Sequence, residues 1–200
     1  RGSRLELNLH GGLRNVRLQI ADISSRLLAQ IPDAHIDLLE VASYVYAADS
    51  ATSRGGLVDA QMGKHWRRKF RFVIPVRQPE LWSSELVSSA LVETLGFLSD
   101  DEYSFEFQDL GDPPAFQSYL EFPDADTAAF SPDEVILFSG GLDSFAGTVE
   151  ELVASGKKVA LVSHRSASKI VGAQKFLVDQ LKERFGADHA LHVPIWVTLE

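Results

Sequence analysis

The feature that most constrains the fold is a short apolar run that ends in a glycine pair and leads directly into helical spacing. Residues 135–138 read Val-Ile-Leu-Phe, a continuous apolar run typical of a strand buried on both faces. Residues 139–144 read Ser-Gly-Gly-Leu-Asp-Ser, and apolar residues then recur at helical spacing over residues 144–154. A strand, a glycine turn and a helix in this order predict a layered α/β domain with a parallel sheet.

The chain after this helix continues the same alternation. The sequence predicts a second strand over residues 158–162, a second helix over 171–185 and a third strand over 190–193, ending before a proline. Strands that alternate with helices predict a doubly wound parallel sheet. Such sheets usually need about five strands. We therefore expect the domain over residues 135–200 to be incomplete.

Residues 1–110 show a different order of predicted elements. Alternating apolar residues on either side of Gly11-Gly12 predict a hairpin over residues 5–20. Later patterns predict helices over residues 36–48 and 81–98 and strands over residues 70–76 and 103–107. This order predicts a smaller α+β domain with an antiparallel or mixed sheet. Residues 111–134 are rich in proline and acidic residues without periodicity, and are predicted to be a linker.

Composition excludes several functions. The formal net charge of -9 argues against a broad grip on nucleic acid or on an anionic membrane, because both partners are themselves negative. Without cysteine, these residues provide no disulfide, thiolate zinc site or cysteine nucleophile. No run reaches the roughly 18 apolar residues of a membrane span. We expect a soluble, cytoplasmic protein that does not contact a membrane.

Each residue type in the 139–144 loop suits a bound polyphosphate. Gly140 and Gly141 permit unusual backbone angles and let phosphate approach the main chain. Ser139 and Ser144 offer hydroxyl donors, and the start of the helix directs its positive end toward an anion. Asp143 either caps amides or binds a metal ion, for which Mg²⁺ is the predicted choice. The alternative is a glycine turn that only joins a strand to a helix.

The loop matches neither Gly-x-x-x-x-Gly-Lys-Ser nor Gly-x-Gly-x-x-Gly. It resembles the PP-loop of the N-type ATP pyrophosphatases. Within that superfamily, residues 135–193 are most similar to the 7-cyano-7-deazaguanine synthase group, including relatives found beside antiphage defence genes. The resemblance implies ATP and Mg²⁺ as cofactors, with Asp143 as the metal ligand. The ATP-binding residues that it implies are Phe138, Ser139, Gly140, Gly141, Leu142, Asp143, Ser144, Ser163 and His164.

Residues 163–165, Ser-His-Arg, follow the second predicted strand at the edge where parallel sheets bind ligands. The synthases carry basic residues in a similar segment, which leads into an equivalent helix; here that helix contains Gln174. The resemblance implies that Arg165 neutralises phosphate charge and shares catalysis with Ser139 and Asp143. Solvated loop residues would give the same pattern.

The resemblance also implies a reaction. An oxygen of a carboxylate or carbonyl attacks the α-phosphorus of ATP, pyrophosphate leaves, and an amine displaces AMP to give an amide or, after a second round, a nitrile. The implied substrate is a deazapurine, either a small molecule or attached to a macromolecule. Zinc is expected only in a C-terminal part beyond these residues. The rival hypothesis is a non-catalytic nucleotide-binding or assembly module whose N-terminal domain binds a protein partner.

Other side chains are weaker candidates. Residues 64–69, Lys-His-Trp-Arg-Arg-Lys, are able to grip RNA or an acidic partner, but a strand edge protected by charge is the simpler interpretation. Trp196 is interpreted as a packing residue. Four histidines lack the spacing of a metal site and are interpreted as structural or surface residues: His10, His35, His189 and His192.

Overall fold

The computed structural model describes residues 4–11, 13–20, 31–55, 66–112, 130–165 and 168–199. They fall into two compact units: the first holds the described residues up to Val16 together with 31–112, and the second holds 17–20 and 130–198. In chain order the elements are β1 (Val16–Ile20), α1 (Asp33–Ala51), β2 (Lys69–Val76), α2 (Pro79–Ser83), α3 (Glu85–Ser99), β3 (Glu102–Asp109), β4 (Glu134–Leu137), α4 (Leu142–Ala154), β5 (Val159–His164), α5 (Ser168–Phe185) and β6 (Ala190–Leu199).

Most of the predicted helices are confirmed, with their ends shifted by a few residues. The exception is the helix predicted over residues 81–98, which is divided into α2 and α3. Ser84 separates the two because its backbone is extended (φ -61°, ψ 142°) and its hydroxyl donates a hydrogen bond to the carbonyl of Leu81. None of the described helices is both long enough and apolar enough to cross a membrane.

The sheet of the first unit is a parallel pair of strands. β2 and β3 lie side by side in register from Lys69 opposite Glu102 to Val76 opposite Asp109. The prediction of an antiparallel or mixed sheet for this unit is therefore wrong. Parallel neighbours need a long crossover, and α2 and α3 provide it. The alternation of apolar and polar residues does not indicate strand direction, because parallel and antiparallel strands share the same two-residue period.

The predicted N-terminal hairpin is wrong for its first strand. Residues 4–8 form no strand, and only β1 follows the predicted pattern. The Asn15 side chain makes part of the connection instead, because its Oδ1 accepts the amide of Asn8 at 2.7 Å and its Nδ2 donates to the carbonyl of Glu6 at 2.9 Å. The amides of Asn15 and Val16 both donate to the carbonyl of Asn8 at 3.0 Å. Gly12, part of the predicted turn, lies outside the described residues. β1 joins the sheet of the second unit.

Buried ion pairs connect α1 to the end of β2 in the first unit. Arg77 donates to Asp37 Oδ1 at 3.0 Å and to both carboxylate oxygens of Glu40 at 2.9 Å. All three side chains are at most 5% exposed. Asp37 also accepts the main-chain amide of Gln78 and the indole N–H of Trp82, each at 3.1 Å. The buried carboxylate thus fixes the start of α2 as well.

The sheet of the second unit has the strand order β1-β6-β5-β4 and is a mixed sheet of mostly parallel strands. β4 pairs with β5, and β5 with β6, in parallel. The third predicted strand was expected to end before Pro194, but β6 runs through it to Leu199. α4 and α5 cover one face, where the core consists of Phe138, Leu152, Val159, Leu161, Val178, Leu181 and Ala190. The α/β class of this unit is therefore confirmed.

β4 is not buried on both faces, contrary to the prediction from its apolar run. Val135 is 65% exposed and Leu137 is 80% exposed, whereas Ile136 packs against the core beneath the helices. The reason is that β4 is the last strand at one edge of the described sheet, and α4 and α5 both lie on the same face. From β4 to β5 to β6, each described strand lies on the same side of the strand before it. In a doubly wound sheet the strand order reverses partway through the sheet.

Asp101 is the centre of a second buried charge cluster in the first unit. Its fully buried side chain accepts hydrogen bonds from the guanidinium of Arg68 at 2.6 Å and from that of Arg54 at 2.7 Å. Burial alone raises the pKa of the Asp101 carboxyl, but the hydrogen bonds and charge of Arg68, with the charge of Arg54, outweigh it. The pKa therefore lies below its usual value, and the folded unit favours the ionised form.

Asp101→Asn should lower the free energy of unfolding at pH 7 by about 3 kcal/mol, because Arg54 and Arg68 lose the buried carboxylate that they share and Arg68 keeps only its pair with Asp49. Since the folded pKa is depressed, the carboxylate's contribution is fully present above the unfolded pKa of about 3.9 and is lost as pH falls through the folded pKa. Urea unfolding at pH 7 and near pH 3 checks this. The difference in the free energy of unfolding between wild type and Asp101→Asn should be smaller near pH 3 than at pH 7.

The matched control is Asp100→Asn. Asp100 is 62% exposed and pairs with Arg67 at the surface, so its replacement should change the free energy of unfolding by less than about 1 kcal/mol. A loss for Asp101→Asn that is the same at both pH values would contradict the role given to the ionised carboxylate.

Candidate functional site

The 139–144 loop joins the carboxyl end of β4 to α4. Phe138 extends the pairing with β5, since its amide donates to the carbonyl of Val162 at 2.7 Å. α4 begins at Leu142 with Gly141 as its N-cap, and no side chain caps it. The amide of Phe145 is the first to bond back into the helix, to the carbonyl of Gly141 at 3.0 Å. The amides of Leu142, Asp143 and Ser144 have no hydrogen-bond partner among the described residues, so they are open to an anion, as expected for a phosphate site.

Gly140 is required by the backbone and by its neighbour. Its φ is +82°, a left-handed conformation that side chains disfavour. A Cβ atom at this position would lie 3.0 Å from Cγ of Gln174 on α5. Because Gln174 is only 2% exposed, it has little room to move away. Glycine therefore allows the loop to pass close to α5.

The two serine hydroxyls of the loop bond to the loop itself. Ser139 Oγ accepts the amide of Gly141 at 3.2 Å, and Ser144 Oγ donates to the carbonyl of Gly141 at 3.1 Å. The two hydroxyl oxygens are 3.1 Å apart, and Ser139 must donate because the Ser144 hydrogen is already used. A phosphate that binds these hydroxyls has to replace the bonds between them.

Asp143 lies on the exposed first turn of α4. The described residues contain no group of three or more side chains able to hold a metal ion. Mg²⁺ in nucleotide sites commonly takes only one or two carboxylates and completes its shell with phosphate oxygens and water. Asp143 at this position fits such a ligand, with phosphate oxygens and water as the rest of the shell.

Ser163 lies beneath the loop. Its side chain is buried, and its hydroxyl donates to the carbonyl of Phe138 at 2.8 Å. His192 Nε2 is 3.0 Å from the same hydroxyl and must be the donor, because the serine hydrogen is used. His192 was interpreted as structural or surface, and it supports the loop through Ser163. The alternation of side chains along β6 could have predicted that His192 lies on the helix-covered face. It could not have predicted the contact with Ser163.

His164 and Arg165 follow Ser163 at the carboxyl end of β5. The His164 side chain is exposed, and strand alternation puts it on the face opposite Ser163. The Arg165 amide donates to the carbonyl of Ile195 at 2.8 Å, and its guanidinium lies over the Trp196 ring, 4.7 Å from the centroid. Trp196 therefore supports a cation at the carboxyl edge of the sheet, in addition to the packing role predicted for it.

The basic run over residues 64–69 is neutralised by acidic side chains wherever the structure describes it. Arg67 pairs with Asp100, Arg68 with Asp49 and Asp101, and Lys69 with Glu102 at 2.8 Å. Lys64 and His65 lie outside the described residues. Pairing with nearby carboxylates favours the interpretation of a charged strand edge over that of an RNA-binding surface.

Comparisons with protein-family models, with curated proteins and with solved structures find no match to this chain. The case for a function therefore depends on the residues and geometry of the 139–144 loop and its neighbours.

Gly140→Ala should lower the free energy of unfolding by about 1–3 kcal/mol, since the alanine must hold a positive φ and approach Gln174. Gly147→Ala is the matched control, because Gly147 lies inside α4 and, apart from its chain neighbours and the backbone of its own helix, no described atom lies within 4 Å of the added Cβ. That change should stabilise by up to about 1 kcal/mol. Urea unfolding of both variants measures the difference. A Gly140→Ala protein as stable as wild type would rule out this loop conformation.

Proposed function

We propose that the chain binds ATP at the 139–144 loop and adenylates an oxygen of a carboxylate or carbonyl substrate, releasing pyrophosphate. The observation that carries the proposal is the uncapped N-terminus of α4, which follows a glycine pair at the carboxyl end of a parallel strand. Open amides and the helix dipole at this position favour a bound polyphosphate. The proposal includes the doubly wound PP-loop fold that the loop's resemblance implies.

The described side chains suit this chemistry in separate roles. The amides and hydroxyls of Ser139 and Ser144 would hold the phosphates, and Asp143 would hold Mg²⁺, which offsets their charge. Arg165 would neutralise charge that develops as the α-phosphorus is attacked, with His164 near the nucleotide or substrate. The substrate oxygen forms its bond to the α-phosphorus while the bond to pyrophosphate breaks. No covalent nucleophile from the protein is required.

The substrate class follows from resemblance to the 7-cyano-7-deazaguanine synthases. It would be a deazapurine carboxylate, either free or attached to a macromolecule. An amine would displace AMP to give an amide, and a second ATP-dependent round would give a nitrile. A role in antiphage defence belongs to the same proposal, because the resemblance includes relatives from that setting.

A nucleotide-binding or assembly module is the second candidate. It is favoured by the hydrogen bonds that the Ser139 and Ser144 hydroxyls make to each other and to the backbone of Gly141, because these bonds satisfy both hydroxyls without a ligand. Such a loop could exchange these bonds for phosphate contacts and report nucleotide occupancy without turnover. In this case the first unit would bind a protein partner.

The test is release of AMP and pyrophosphate from α-labelled ATP by the full-length protein, with Mg²⁺ and candidate deazapurine carboxylates. Wild type should release both products, and Ser139→Ala and Asp143→Ala should each lose about 100-fold or more in rate. Asp179→Ala, an exposed change on α5 away from the loop, should behave as wild type. Bound but intact ATP would support the nucleotide-binding module, and ADP as product would indicate phosphotransfer.

A further inference from the structure

Gln174 is a buried side chain of α5 that contacts the loop from below. Its Nε2 donates to the carbonyl of Ser139 at 3.1 Å and lies 3.5 Å from the carbonyl of Phe138. These two acceptors fix the orientation of the amide, because only its nitrogen end donates hydrogens. Gln174 Oε1 is buried and has no hydrogen-bond partner among the described residues.

The contact determines where the loop amides point. The described backbone holds no cis peptide bond, and in a trans peptide the C=O and the following N–H point in opposite directions. Because the carbonyl of Ser139 turns toward Gln174, the amide of Gly140 turns away from α5. Ser163 binds the carbonyl of Phe138 in the same way and turns the amide of Ser139 outward. Two side chains therefore orient two successive amides of the loop.

We propose that Gln174 is a positioning residue of the phosphate-binding loop, which holds the carbonyl of Ser139 inward so that the amide of Gly140 faces the anion. The inference rests on the proposed function, since it assumes that a polyphosphate binds at this loop. In this role Gln174 acts through its contacts with the loop carbonyls.

The chemistry of the amide group supports this role over a packing role. Leucine would fill a similar volume without a buried acceptor, whereas Gln174 Oε1 finds no partner in the part of the chain that the structure describes. A carboxylate would place an acceptor against the acceptor carbonyl of Ser139. Only a donor at this position holds the carbonyl inward, and this explains a polar side chain that is 2% exposed.

The test measures binding of ATP and of inorganic tripolyphosphate to the full-length protein by calorimetry. Gln174→Leu should weaken both by about tenfold or more while the protein remains folded by circular dichroism, because the amide of Gly140 is no longer held outward. The same change should shift the NMR amide resonance of Gly140 in the free protein. Unchanged affinity and an unchanged resonance would overturn the inference.

Gln174→Glu provides a pH readout that a packing role does not predict. Its carboxylate should weaken tripolyphosphate binding at pH 8, and binding should recover as pH falls, because the protonated acid again donates to the carbonyl of Ser139. Burial raises the pKa of such a carboxyl, so recovery should begin above the ordinary value of about 4.3. Gln180→Glu, an exposed change on α5, is the control and should follow wild type at each pH.

The outcomes separate the two proposals. If wild type binds both anions and the Gln174 variants bind equally well at every pH, the positioning role is wrong and the proposed function is unaffected. If wild type binds neither anion, the proposed function fails, and with it the role of Gln174 in phosphate binding. If Gln174→Leu does not fold, the pH profile of Gln174→Glu tests the positioning role. Recovery of tripolyphosphate binding as pH falls supports this role, and a profile like that of wild type overturns it.

Discussion

Parallel pairing of β4 with β5 is the interaction on which the candidate site depends. It brings the carboxyl ends of the two strands to the same edge, so that Ser163 reaches the carbonyl of Phe138. α5 then returns across this face and places Gln174 under the loop. The glycine pair allows the loop to pass close to that side chain. Sheet pairing, helix packing and loop conformation therefore support one another, and the open start of α4 follows from all three.

The fold of the first unit depends on buried ion pairs to a greater extent than the fold of the second unit does. Asp37, Glu40 and Arg77 are almost fully buried and satisfy one another, while Asp101 does the same with Arg68. Such groups stabilise a fold only when every charge finds its partner, because an unpaired buried charge is strongly unfavourable. The pairs connect α1 to the strand ends and so determine how the parallel strands and helices of this unit fit together.

Local patterns predicted much of the secondary structure. Helical spacing located α4 and α5 to within a few residues, and the Ser-Gly-Gly-Leu-Asp-Ser sequence correctly indicated a turn between a strand and a helix. Prediction failed where the answer depends on distant partners. The direction of β2 and β3, the attachment of β1 to the second sheet and the exposure of Leu137 depend on which strand lies beside which.

The sequence by itself determined the candidate site's chemical groups, because glycine conformation, hydroxyl donors and a helix start are local properties of a short segment. Only the tertiary structure decided which side chains support them. Ser163, His192 and Gln174 lie 25 to 54 residues from Phe138 along the chain, and their hydrogen bonds exist only after the sheet and helices have packed. A hydrogen bond requires two atoms within about 3 Å, and separation along the chain does not fix that distance.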